Sequence, residues 1–117
     1  MIVNRSNAPH YLWGDGCDGW RLHEDDELGL IEELVPPGCA ETPHYHTNVA
    51  QIFYILHGEA VMRLTDRDHT LHAGDSLRVP PGVAHQFRND SADPVRFLVI
   101  TAPRRDFDRH NIPLLLT

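Results

Sequence analysis

Residues 51–57 read Gln-Ile-Phe-Tyr-Ile-Leu-His, so that Gln51, Phe53 and Ile55 fall on one side of an extended strand and Ile52, Tyr54 and Leu56 on the other. Short apolar runs of this kind, rich in Val, Ile, Leu and Phe, recur along the chain between Gly, Pro, Asp and Asn, the residues that punctuate turns. They predict strands at 19–23, 28–35, 43–46, 51–57, 60–65, 69–72, 76–79, 84–88 and 95–101. Helical periodicity is not sustained through the middle of the chain. Only residues 103–111, Pro-Arg-Arg-Asp-Phe-Asp-Arg-His-Asn, suit one short helix, ahead of an apolar tail at 112–117 expected to pack on the barrel or on a partner subunit. Many short strands linked by tight turns predict an all-β barrel or sandwich, in which closure removes exposed strand edges.

Composition narrows the possibilities. The 117 residues suit a single domain, 1–117, large enough for one core, and the pattern shows neither repeats nor linkers. With 41% hydrophobic and 23% charged residues the profile is that of a soluble globular protein. The net charge of −7, with no basic run longer than Arg104-Arg105, argues against a nucleic-acid surface, which needs clustered cations. All 10 cations are arginine, so Schiff-base chemistry and lysine bases are excluded. Cys17 and Cys39 have no CxxC pairing and suit inert thiols in a reducing compartment. The first residues lack the continuous apolar stretch of a secretory signal, and no segment approaches membrane-spanning length, so a cytoplasmic protein without membrane contact is expected.

Candidate chemistry begins at His44-Tyr45-His46, where two imidazoles one residue apart point to the same side of a strand and could grip one metal ion. Gln51 is a plausible further ligand, although divalent metals usually prefer a carboxylate to a neutral amide. Two longer stretches enclose these residues: Gly38 to Gly58, and Gly74-Asp-Ser-Leu-Arg-Val-Pro-Pro-Gly-Val-Ala-His-Gln-Phe-Arg-Asn89. They resemble the two signature motifs of the cupin superfamily. Gly38, His44, His46 and Gly58 fit the first motif, with Gln51 where that family has Glu, and Gly74, Pro80, Gly82, His85 and Asn89 fit the second completely. The resemblance covers about residues 28–101, with 1–27 as a leading strand segment and 102–117 as a tail. The short interval between the motifs is similar to that of small single-domain bacterial cupins of the mannose-6-phosphate isomerase-like kind.

The resemblance implies a double-stranded β-helix, a jelly-roll-like barrel that brings His85 to face His44 and His46. It implies a divalent metal, Zn, Ni, Mn or Fe, on His44, His46 and His85, with Gln51 either as a fourth ligand or swung away. Three neutral imidazoles converging in an apolar cavity would otherwise be costly. A neutral Gln51 would leave the ion its full charge, making it a stronger Lewis acid than a glutamate would. By strand parity Phe53, Ile55, Phe87 and Asn89 point inward with the ligands, the phenylalanines chiefly as core. His10, His23, His57, His69, His72 and His110 read as surface or packing residues. Glu33 and Glu41, near the first motif, suit a general base and rim carboxylates equally, so no general base is named.

The stretch Tyr11 to His23, with Trp13 and Trp20, either walls the barrel mouth, with Trp13, Cys17 or Trp20 touching ligand, or forms a leading strand that caps the barrel or pairs with a second subunit; the second is preferred. Two functional classes follow. One is a metal-dependent enzyme acting on a small oxygen-rich molecule, as a Lewis-acid isomerase or lyase or as an Fe(II) dioxygenase with three histidines. The other is a noncatalytic module that binds or senses such a ligand. A homodimer is expected, because the leading segment and the tail carry apolar residues that one small barrel would leave uncovered.

Overall fold

A computed structural model of the chain describes residues 1–104 and 108–112. Among the described residues eleven strands run in chain order: β1 His10–Trp13, β2 Cys17–Glu24, β3 Gly29–Val35, β4 His44–Tyr45, β5 Ala50–His57, β6 Glu59–Arg63, β7 Asp68–His72, β8 Ser76–Val79, β9 Gln86–Arg88, β10 Val95–Ala102 and β11 His110–Asn111. They form two facing antiparallel layers. One is a six-stranded sheet in the order β1-β2-β3-β10-β5-β8. The other consists of β7-β6-β9 and β11-β4, linked where Ala40 bridges Arg88 and His44 bridges His85. This is the double-stranded β-helix expected from the motifs.

Alternation does the sorting. On β5, Phe53 and Ile55 are buried, whereas Ile52 and Tyr54 keep 37% and 40% of their surface exposed on the outer face. The inward residues of the two layers meet in a single core, in which Phe87 of β9 stacks on Phe97 of β10 at 4.1 Å between ring centroids. Burying such rings contributes roughly 1.5–3 kcal/mol each. Asn89 lies wholly inside, donating to the carbonyls of Val35 (3.0 Å) and Asp93 (2.8 Å) while its own oxygen accepts from the backbone and hydroxyl of Ser91. It therefore clips the turn after β9 to the end of β3 and is not part of the cavity.

Glycine is required where the two layers exchange strands. Gly58, at φ 90°, lies between β5 and β6, and a Cβ there would meet the Pro94 carbonyl oxygen at 2.6 Å. Two segments depart from the sequence-based expectation. Residues 10–13, not expected as a strand, form β1 because their backbone pairs with β2 in the register Tyr11 to Gly19 and Trp13 to Cys17. The short helix expected over 103–111 is absent from the described residues there. Instead His110 and Asn111 pair with Tyr45 and His44 as β11, and an isolated helix as short as the one expected is marginal in water. The tail at 113–117 lies outside the described residues.

Candidate metal centre

His44 and His46 alternate along β4 and its continuation, so both rings turn inward. His85 arrives from the other motif. Its backbone N–H donates to the His44 carbonyl (2.9 Å) and the His44 N–H donates back (3.0 Å). The Pro80-Pro81-Gly82 turn sets this approach, with Gly82 at φ 82° donating its N–H to the His46 carbonyl (2.5 Å). The three rings meet with centroids 4.3 Å (His44 to His85), 5.0 Å (His44 to His46) and 5.7 Å (His46 to His85) apart.

Each ring is held by the same device. Nδ1 of His44 lies 2.8 Å from the Thr42 carbonyl, Nδ1 of His46 lies 2.9 Å from the Asp108 carbonyl, and Nδ1 of His85 lies 3.0 Å from the Val83 carbonyl. A carbonyl can only accept, so Nδ1 carries the proton and each Nε2 keeps its lone pair. The ligand atoms of the trio lie within 4.8 Å of one another. Burial holds His44 down at about 3 and His85 at about 4, and lowers His46 as well, so all three rings are neutral at pH 7.

Gln51, on β5, faces the same space from the opposite layer. Its amide nitrogen donates to the Thr101 hydroxyl (3.2 Å), which leaves Oε1 free. Nε2 of His46, Nε2 of His85 and Oε1 of Gln51 are all buried and meet no hydrogen-bond donor. Buried acceptors left without a donor are costly. A divalent cation satisfies them together, so the donor set of nitrogen with an amide oxygen fits such an ion.

The wall beyond the histidines is built by cross-strand register. Tyr11, Gly19 and Glu33 lie opposite one another on β1, β2 and β3. A Cβ on Gly19 would fall 2.2 Å from the Tyr11 ring, so the missing side chain lets Tyr11 reach across β2 and donate its hydroxyl to Glu33 (3.2 Å). The Arg21 guanidinium packs 4.3 Å from the centre of the same ring. Glu41 accepts the Phe87 N–H (3.0 Å).

An inner chamber of ≈ 170 Å³ is lined by His44, His46, Gln51 and Phe53 on one side and by Tyr11, Glu33, Glu41 and Arg109 on the other. The last four also line an outer vestibule of ≈ 300 Å³, where Trp13 and Ala40 join them. Glu33 and Glu41 touch this space but are otherwise enclosed by protein. Desolvation is the main reason the Glu33 carboxyl is pushed up to about 8, with the neighbouring Glu41 charge adding to it. Desolvation likewise raises Glu41 to about 7, against the lowering effect of its bond from Phe87 and of Arg109.

The other residues singled out in the sequence are distributed as follows. Phe53 and Trp13 line the cavity and vestibule. Ile55 and Phe87 belong to the core, one strand position deeper than the ligands. Trp20 is on the opposite face of β2, beside Arg5 and His10, so the pleat that turns Gly19 inward turns it away. Cys17 is buried in the core and Cys39 donates to the Asp15 carbonyl; both thiols are free.

Glu33 and Glu41 line both the chamber and the vestibule. For Glu33 a signal existed: it shares an inward parity with Ile31 and Val35, an unusual place for a carboxylate. Tyr11 begins the stretch read as a possible wall of the barrel mouth, whereas nothing local marked Asp108 or Arg109, which join the site through contacts with His46 and Thr42.

Comparison with known proteins follows the same lines. The Cupin domain family model matches residues 31–101. An uncharacterized protein of Methanocaldococcus jannaschii, MJ1618, is 31% identical over 82 residues, 70% of this chain and 66% of that protein. The oxalate-binding protein of Thermotoga maritima is 32% identical over 66 residues, 56% of this chain and 54% of its own. The chain thus spans less than two thirds of the length of these curated relatives. Among solved structures, the polyketide cyclase RemF of Streptomyces resistomycificus superposes with a TM-score of 0.85 at 23% identity, covering 97% of this chain and 86% of that one, a likeness of fold. Two interlocked motifs, a double-stranded β-helix and three inward histidines agree with that match, and the chain belongs to the cupin family.

Proposed function

We propose that this protein is a metal-dependent enzyme acting on a small oxygen-rich molecule, with a divalent cation on His44, His46, His85 and Gln51 and with Glu33 and Glu41 carrying protons. The observation that carries the reading is the set of buried, donorless lone pairs on His46, His85 and Gln51, facing two carboxyls across one chamber. Zn, Ni, Mn or Fe there would supply Lewis acidity to a substrate carbonyl or hydroxyl oxygen, undiminished by any anionic ligand. In the metal-free protein desolvation raises Glu33 to about 8, with the Glu41 charge adding to it, and raises Glu41 to about 7, which suits the pair to have one member ionised while the other holds a proton. The ionised member takes a proton from the carbon next to the polarised carbonyl, the C–H pair becoming a C=C bond as the carbonyl π pair moves onto oxygen. The protonated member then gives its proton to the former carbonyl carbon, while the adjacent hydroxyl passes its own proton to the first oxygen and becomes the new carbonyl, or gives it to a β-hydroxyl that leaves as water as the carbonyl re-forms. The outcome is an isomerisation or an elimination, and no oxidant is needed. Tyr11 orients Glu33 through its hydroxyl.

The carboxyl pair is the reason for placing proton transfer ahead of the Fe(II)-dependent oxygenation that the same imidazoles would allow. Likeness to an oxalate-binding protein favours a second reading, capture of a small dicarboxylate without turnover. Metal analysis of untagged protein tests the foundation. About one divalent ion per chain is expected in the wild type and none in His85→Ala, and a wild type that takes up none of the four ions at micromolar concentration overturns both readings.

Assembly as a homodimer through the outer face of the six-stranded sheet is part of the proposal. Leu12, Ile52 and Tyr54 present apolar surface there. Light scattering at high micromolar concentration should return twice the chain mass, and a monomer would remove the dimer.

A further inference from the structure

One short segment, residues 108–112, holds the far side of two of the three histidines. His46 Nδ1 donates to the carbonyl of Asp108 (2.9 Å). The Asp108 carboxylate, itself buried, grips the chain just beyond His46. One oxygen accepts from the Thr47 N–H (3.0 Å) and the Thr47 hydroxyl, and the other accepts from the Asn48 N–H (2.9 Å). Arg109 reaches the other ligand: its Nη2 donates to the Thr42 carbonyl (3.3 Å), the same oxygen that takes the His44 Nδ1–H (2.8 Å). The segment is seated by β11, where Asn111 pairs with His44 and His110 with Tyr45, by stacking of His110 on Tyr45 (4.9 Å), and by the Ile112 N–H on the Pro43 carbonyl (2.9 Å). His85, in contrast, is oriented by its own neighbour Val83.

We propose that Asp108 and Arg109 are positioning residues that set the metal affinity of the histidine centre, so that docking of segment 108–112 on β4 and binding of the cation reinforce each other. A ring whose Nδ1 is anchored presents Nε2 in one direction, and a ring without the anchor flips or changes tautomer, so that part of its population offers an N–H where the ion needs a lone pair. The Asp108 carboxylate fixes the position of its own carbonyl by tying the same residue to Thr47 and Asn48, so its loss loosens the His46 anchor without touching a ligand. Coupling is reciprocal: whatever the docked segment adds to metal affinity, the metal adds to docking. This rests on the proposed metal reading.

Zinc affinity, measured by chelator competition on untagged full-length protein, tests it with Asp108→Ala and Asp108→Asn. Loss of an outer anchor of this kind typically weakens binding about 10- to 100-fold, expected for Asp108→Ala, with a smaller loss for Asp108→Asn, which keeps one acceptor oxygen. Imidazole 15N spectra of the metal-free protein supply a readout that a merely stabilising residue would leave alone. His46 should become a tautomer mixture in Asp108→Ala, while His44 and His85 stay protonated on Nδ1. Should Asp108→Ala not fold, Asp108→Asn and the wild type still decide. Zinc should slow amide exchange at Thr47, Asn48 and Ile112 of the wild type. Unchanged zinc affinity in a folded variant, or unchanged exchange on adding zinc, overturns the proposal. A wild type that binds no zinc overturns the metal reading beneath it.

Discussion

His44 and His85 exchange both of their backbone hydrogen bonds, 3.0 Å one way and 2.9 Å the other, although 40 intervening residues build most of a β-helix turn between them. The pairing belongs to the main chain, so it survives loss of either ring. His85→Ala should therefore keep a cooperative unfolding transition and the β-sheet circular dichroism of the wild type while losing stoichiometric metal. His44→Ala and His46→Ala should do the same. Metal content measured beside the spectra checks this, and undiminished metal in His85→Ala would sink the site.

Gln51 is held by Thr101 with its oxygen turned to the histidines. Gln51→Glu puts a carboxylate at the same reach, and charge attraction should tighten divalent binding by about tenfold or more. Gln51→Ala should weaken binding only modestly, because three imidazoles remain. If Lewis acidity drives the reaction, the glutamate variant binds metal better and turns over more slowly. Equal affinities of Gln51→Glu and wild type in a zinc titration would show that residue 51 is not a ligand.

Protonation links the site to stability in the metal-free protein. Glu33 and Glu41 have folded values raised to about 8 and about 7, so the folded state holds more protons than the unfolded one and stability falls as pH rises toward 8. His44 and His85 are depressed to about 3 and about 4, so there the unfolded state holds more protons and stability falls as pH drops below the ordinary histidine range. Urea unfolding of chelator-treated protein should show a broad maximum between about pH 5 and 6.5, where the two trends offset each other, with decline on both sides. Glu33→Gln should flatten the alkaline side, and an alkaline side identical to that of the wild type would contradict the assignment.

Gly58 and Gly74 both adopt positive φ, at 90° and 91°. A Cβ at Gly58 collides with the Pro94 carbonyl at 2.6 Å, whereas at Gly74 nothing lies within 4 Å. Gly74→Ala should thus cost only the backbone term, about 1–2 kcal/mol, and Gly58→Ala distinctly more, because rigid backbone must move. Denaturant midpoints of the two variants, compared with wild type, measure the difference.

The motif glycines, the His-x-His spacing and the alternation on β5 are local properties; they carry the resemblance to the cupin motifs, and that resemblance implied the fold and the meeting of the three histidines without coordinates. Turn residues with positive φ and period-two runs act over a few neighbours, and their order along the chain allows few closures. The opposite wall was not legible, because it depends on register between strands. Tyr11 reaches Glu33 only because β1 pairs with β2 so that Gly19 lies between them, and a shift of one residue would put Trp20 there instead.

By itself, then, the sequence determined an all-β barrel or sandwich and the inward face of β5, and through its resemblance to the cupin motifs it implied the double-stranded β-helix and the convergence of His44, His46 and His85. Only the tertiary structure decided which ring nitrogens stay free, that Glu33 and Glu41 share the chamber, and that segment 108–112 pairs with β4 as a strand instead of coiling as a short helix. The physical reason is range. Propensity and periodicity are carried by adjacent residues, whereas the proton's location on His46 and the hydrogen bond that Glu41 accepts are set by partners 62 and 46 positions away, Asp108 and Phe87.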